Sequence, residues 1–164
     1  MELKRIYPLF FCVAFVTGAL ALTGLRANAA THYVAPSGND FNNGSSWATA
    51  KATIQAAVNL TSNGDTVVVT NGTYWPSAEI SVTNDITIQS VNGPEVTVIN
   101  GNNAVRGLNL GGSACVISGF TIMNGRAPGF PSFGGGIYCS SAAPRISHCK
   151  IMSSFADEGG GMYR

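Results

Sequence analysis

Phe120-Thr121-Ile122-Met123-Asn124-Gly125 and Cys149-Lys150-Ile151-Met152-Ser153 decide the fold. Sliding residues 107–124 onto residues 136–153 superposes Ile117 on Ile146, Ser118 on Ser147, Ile122 on Ile151 and Met123 on Met152. Working outward, a run of the same kind recurs upstream as Val96-Thr97-Val98-Ile99-Asn100-Gly101, and again as Val67-Val68-Val69-Thr70-Asn71-Gly72. Between them lies a second series: Ile86-Thr87-Ile88, Leu108-Asn109-Leu110, Ile137-Tyr138-Cys139 and Met162-Tyr163. Both series recur at intervals of roughly 20–30 positions, within the range that marks repeat architectures. Such a period means that no unit buries its apolar face alone, so units must stack on their neighbours. Four turns of a solenoid are expected.

The content of the period selects the architecture. After residue 62 there is no ten-residue stretch with helical i, i+3, i+4 spacing; there are short alternating runs punctuated by Gly, Asn and Pro, which is strand and turn chemistry. A leucine-rich horseshoe would need a helical half. Two or three short strands per turn predict an all-β chain, a right-handed parallel β-helix in which every strand pairs with the turns above and below.

Alternation then sorts the side chains. If Val67, Val96, Phe120 and Cys149 face the core, so do Val69, Val98, Ile122 and Ile151, because residues two apart share a face. The next inward column is Asn71, Asn100 and Asn124, followed by Ser153. Stacked asparagines at a corner can bond to one another and tolerate a left-handed backbone, so this column is expected as a structural ladder. The same parity sends Thr70, Ile99, Met123 and Met152 outward. Either the loop Ala127–Phe133 covers that ridge, or it binds a ligand, or the corner turns these side chains inward.

Lys4 and Arg5 precede an apolar run from Ile6 to Leu25, and Ala27-Asn28-Ala29 supplies the small residues a signal peptidase accepts,. Residues 1–29 therefore read as a signal peptide and Ala30 as the mature start, with a membrane anchor as the alternative. Without Glu2, Lys4, Arg5 and Arg26 the chain keeps 7 acidic and 6 basic residues. That balance argues against nucleic acid as a partner. Cys12 leaves with the leader, and Cys115, Cys139 and Cys149 are expected mainly as buried thiols acting as small hydrophobes, with disulfide pairing the alternative.

Residues 30–65 form a different segment. Thr31–Asp40 reads as strand and turn, and Thr53 caps a short helix from Ile54 to Leu60 with Ile54, Ala57 and Val58 on one face. It is expected to cap the first of the turns, which span residues 66–164, and so to shield an open edge.

Tyr33-Val34-Ala35-Pro36-Ser37-Gly38-Asn39-Asp40, Ser46-Trp47-Ala48-Thr49-Ala50, Thr53–Val58, Gly64-Asp65-Thr66-Val67 and Asn71-Gly72-Thr73-Tyr74 together resemble the start of secreted bacterial right-handed β-helix proteins of the pectate-lyase-like superfamily. Gly134-Gly135-Gly136-Ile137-Tyr138, Ile146-Ser147-His148-Cys149 and Gly159-Gly160-Gly161-Met162-Tyr163 are similar to that group's repeats and to those of polymorphic outer-membrane proteins. The resemblance implies export to the cell surface, outer membrane or medium, and a carbohydrate or cell-surface polymer as partner. It specifies fold more than activity.

A lyase of this kind needs an Arg or Lys base and a Ca²⁺ held by clustered carboxylates. The carboxylates Asp40, Asp65, Glu79, Asp85 and Glu95 are scattered. Asp157 and Glu158 are the one adjacent pair, hence the one candidate for a metal, and they read better as a solvated turn. Arg106, Arg126, Arg145 and Lys150 are expected to lack acidic partners at matching positions, and His148, which replaces Gly119, to lie on a turn. No convergent set of carboxylates for glycoside hydrolysis stands out either. No catalytic residue or cofactor is assigned, and Ca²⁺ enters only if the chain is a lyase. The sequence ends at Arg164 just after the second Gly-Gly-Gly-x-Tyr, which reads as a fragment of a longer β-helix whose later part could hold such a site. A structural, adhesive or polysaccharide-binding role is expected, with a polysaccharide lyase or hydrolase as the alternative.

Overall fold

The computed structural model describes residues 28–111, 114–140 and 143–164. The apolar leader, apart from Asn28 and Ala29, lies outside them. Strand β1 (Thr31–Val34) and helix α1 (Ile54–Val58) precede a first circuit of β2 (Thr66–Val69), β3 (Gly72–Tyr74) and β4 (Ile80–Ser81). Three more circuits follow: β5 (Thr87–Ser90), β6 (Thr97–Asn100) and β7 (Leu108–Gly111); β8 (Val116–Ser118), β9 (Thr121–Met123) and β10 (Ile137–Ser140); β11 (Arg145–Ser147), β12 (Lys150–Met152) and β13 (Met162–Tyr163). The first strand of each circuit joins β1 in one sheet, the second strands form another and the third strands a third, with parallel pairing throughout. The described chain is all-β apart from α1 and a short 3-10 turn, Trp47–Thr49.

Each sheet buries one face, and the buried residues stack in register. Val67, Ile88 and Ile117 form one fully buried column, continued by half-buried Ile146. Tyr74, Ile99, Ile122 and Ile151 form the second, and Ile80, Leu108 and Ile137 the third. Burying an Ile or Leu in this way contributes about 1.5–3 kcal/mol, so the columns supply most of what holds successive circuits together.

The offset that superposes residues 107–124 on residues 136–153 matches the pairing of Leu108 with Ile137, Ile117 with Ile146 and Ile122 with Ile151. Upstream the expected columns slip. Val67 aligns with Ile88 rather than Val96, and Val98 pairs with Thr121, not Ile122. Consequently Val96 is 43% exposed and Ile99 is buried, the reverse of the expected parity. The cause is a one-residue slip in the second sheet, where Ile99 and not Val98 stands opposite Ile122. Because alternation has period two, a one-residue slip exchanges the faces. The expected outward ridge is cut short: Ile99 joins the core, whereas Met123, half-buried, and Met152, 48% exposed, pair in register on the outer face, and Phe130 in the loop expected to cover them is itself 90% exposed.

The N-terminal segment adds to the first sheet instead of standing apart, with His32 opposite Val67 and Val34 opposite Val69. Thr53 caps α1 by accepting a hydrogen bond from Ala56 N, and Ile54, Ala57 and Val58 are buried against β1, β2 and β4. The helix ends at Val58, shorter than the expected Leu60. No helix among the described residues is long and apolar enough to cross a membrane.

Candidate functional site

The residues singled out in the sequence mostly serve the framework. Asn124 Nδ2 donates to Asn100 Oδ1 at 3.2 Å, but Asn71 stands outside this contact and accepts from Asn92 Nδ2 at 2.8 Å. The expected three-member ladder is thus a pair, because Asn71 closes a strand of a different sheet. At this corner Asn124 has φ 52°, and Ser153, one circuit on, has φ 51°.

Asp157 forms a clasp. Its Oδ2 accepts from Ser132 N and Ser132 Oγ at 2.7 and 2.9 Å, and its own N–H donates to Ser132 Oγ. These bonds hold its carboxyl below the usual carboxylate range. Glu158 contributes its backbone, pairing with Ser132 O and Gly134 N. No group of three or more potential metal ligands occurs among the described residues.

The expectation that the cations lack acidic partners is overturned for two of them. Arg106 pairs with Glu79 and Lys150 with Glu95. Arg106 lies two residues before Leu108 and Glu79 one before Ile80, and Leu108 pairs with Ile80, so the ion pair joins adjacent circuits. The slipped register of the first circuit hides this relation in the sequence. Cys139 is buried and Cys149 half-buried, both without a disulfide, and burial pushes both thiols up. Cys115 is wholly buried in the core. His148 is exposed, with φ 51° where Gly119 has φ 84°.

The most site-like feature is one that the sequence reading passes over. A cleft of about 300 Å³ opens where the start of α1 meets the corner after β3. Its apolar wall includes Pro36, Ile54, Trp75 and Pro76, and Thr53, Gln55, Thr73 and Ser77 bring polar atoms. Trp75 is 60% exposed, an indole left in water beside a concave wall. Two features fix its position. Gly72, at φ 147°, lies where a Cβ would strike the Pro36 ring, so only glycine lets the strand pass this close,. Tyr74 is buried below, its hydroxyl donating to Thr70 O at 3.0 Å, and burial pushes the phenol far up.

Glu79 also lines the cleft, but it is committed on both oxygens, to Arg106 and to Asn109 Nδ2 at 2.7 Å. Arg106 also donates to Gly134 O and Phe133 O, and its guanidinium lies 4.9 Å from the Tyr138 ring centre. Tyr138 stacks on Tyr163 at 5.9 Å and 11°. These rings cover one another's faces along the stacking direction, so they act as a brace, whereas Trp75 keeps an accessible face. Asp40, Asp65 and Asp85 are likewise held by backbone N–H groups. What the cleft offers is an aromatic face and the Thr73 and Ser77 hydroxyls, since the Gln55 amide is bonded to Asn59 and Ser81 and the Thr53 hydroxyl to Asp40 and Ala56 N. That combination suits uncharged, hydroxyl-rich ligands better than proton transfer.

The corner residues Trp75-Pro76, directly after a short strand, are the available signal: a large aromatic at a turn has no core to enter. No family model, curated protein or solved structure matches the chain.

Proposed function

We propose that this chain is an exported right-handed parallel β-helix protein, of the kind its repeats resemble, that binds polysaccharide in the Trp75 cleft. Three parallel sheets fed in turn by one chain support the architecture. Right-handedness is supported by the strong preference of crossovers between parallel strands. The leader of residues 1–29 supports export, to the cell surface or the medium. The observation that carries the binding role is the exposed indole of Trp75 over a cleft edged by Thr53, Gln55, Thr73 and Ser77. Sugar rings present an apolar face of C–H groups and a rim of hydroxyls, so one aromatic face with short polar side chains around it matches both.

The test is affinity electrophoresis of the exported protein through gels containing either polygalacturonate or a neutral β-glucan, alongside Trp75→Ala. Retardation by at least one polymer is expected, with apparent affinity about tenfold or more weaker in the variant, a loss of about 1.4 kcal/mol. Because the indole is mostly exposed, the melting temperature should hardly move. Absence of retardation in both gels, or equal retardation of the variant, refutes the assignment.

A further inference from the structure

We propose that removal of residues 1–29 makes Asp65 the receptor for the new N-terminus, the α-ammonium group of Ala30 forming an ion pair with the Asp65 carboxylate that secures the first strand. The inference rests on the export reading above and adds to it a site that no motif in the sequence marks.

The geometry is already set. Ala30 N donates to Asp65 Oδ1 at 2.7 Å, and Ala30 O accepts from Thr66 N at 2.8 Å, so Ala30 is held on both sides just before β1. Asn28 and Ala29 are exposed and outside any strand. The bond a peptidase would cut is therefore accessible and lies immediately before the first anchored atom. Asp65 is only 7% exposed, and its other oxygen accepts from Ser62 N at 2.8 Å. The backbone donors Ser62 and Ala30 keep its carboxyl below the usual range, so it is an anion at neutral pH.

Around this anion, formal positive charge is scarce. His32 Nε2 is 3.7 Å from Asp65 Oδ2, yet both its ring nitrogens are buried without a hydrogen-bond partner. Lys51, the one lysine of residues 30–65, directs its Nζ to Asp40 O at 2.7 Å. Hydrolysis by a signal peptidase adds water across the Ala29–Ala30 bond, leaving a carboxylate on Ala29 and a protonated amine on Ala30. The neutral N–H that touched Asp65 becomes an ammonium at the same place, so a hydrogen bond to a carboxylate becomes a bond between two opposite charges,. The precursor and the processed chain then differ in how firmly β1 is held.

The full chain is expressed in a bacterial host with export, and the recovered protein is weighed intact. A mass beginning at Ala30 is expected; any other start overturns the processing on which the inference rests, whatever Asp65 does. On the Ala30-start protein, the α-amine is titrated by NMR, and its acylation by acetic anhydride at pH 7 is followed by peptide mapping. An ion-paired ammonium should titrate about one unit above the ordinary 7.7–8.0, and in Asp65→Asn it should acylate about tenfold faster. An ordinary titration in the unsubstituted protein overturns the capture even if Asp65→Asn does not fold, as do equal acylation rates in a folded variant.

Discussion

At the scale of single residues, the corners set the strictest demands. Gly119 and His148 occupy equivalent positions one circuit apart, both left-handed, with φ 84° and 51°. A Cβ on Gly119 would collide with Ser90 Oγ, which also donates to Gly119 O. Gly119→Ala should therefore cost about 1–3 kcal/mol through strain and contact. His148→Gly should instead stabilise by about 0.5–1 kcal/mol by relieving a conformation that L-residues resist. Urea denaturation of both variants checks the pair; the signs should be opposite. Asp65 gives a pH signature at the same scale. Its folded pKa lies below the ordinary 3.8, so the stability it contributes is complete above that value and is lost as pH falls through the lower folded one. Urea midpoints measured from pH 5 to 2 should fall less steeply in Asp65→Asn. An unchanged slope would assign the acid sensitivity to other carboxylates.

At the scale of strands, what the sequence can tell depends on how regular the spacers are. From β7 to β12 the pairings keep one constant offset, so Leu108, Ile117 and Ile122 can be aligned with Ile137, Ile146 and Ile151 by inspection, whereas the last pairing, Ile137 with Met162, is shorter. The first circuits have no such constancy: the step from Thr66 to Thr87 in one sheet is far shorter than that from Ile80 to Leu108 in another, and nothing local marks which strand follows which corner. The first member of each expected strand series therefore falls one sheet away. The outward Trp75 and the Glu79–Arg106 pair lie in this irregular part, which is why neither is legible in the sequence. The columns also rank the strands. Ile122 in β9 is fully buried between Ile99 and Ile151, while Ile151 in β12 is only half-buried. Ile122→Ala should cost about 2–5 kcal/mol, and Ile151→Ala distinctly less. Thermal or urea melts of the two variants would contradict this packing order if the losses were equal.

Across the whole molecule, each circuit touches chiefly the ones before and after it, so a disturbance at one end should fade with distance. The N-terminal end is held by a small polar knot. Asp40 Oδ1 accepts from Ala52 N and Thr53 N at 2.8 and 2.9 Å, and Oδ2 accepts from Thr53 Oγ1 at 2.8 Å. Thr53 in turn caps α1, whose Ile54, Ala57 and Val58 close the core over β1, β2 and β4. Asp40→Ala removes all three acceptor contacts and leaves two backbone N–H groups and the cap hydroxyl to water. Loss of the cap alone destabilises a helix by about 0.5–2 kcal/mol, and in so short a helix that is enough to favour local opening. Hydrogen exchange should then accelerate across residues 31–61 while β6 and β9, two and three circuits away from β1, keep their protection. The Trp75 cleft shares Thr53 and Ile54 with this knot, so the polysaccharide retention proposed for it should weaken along with it. Uniform acceleration through β9 would instead mean that the circuits unfold as one cooperative unit, with the N-terminal segment as its keystone.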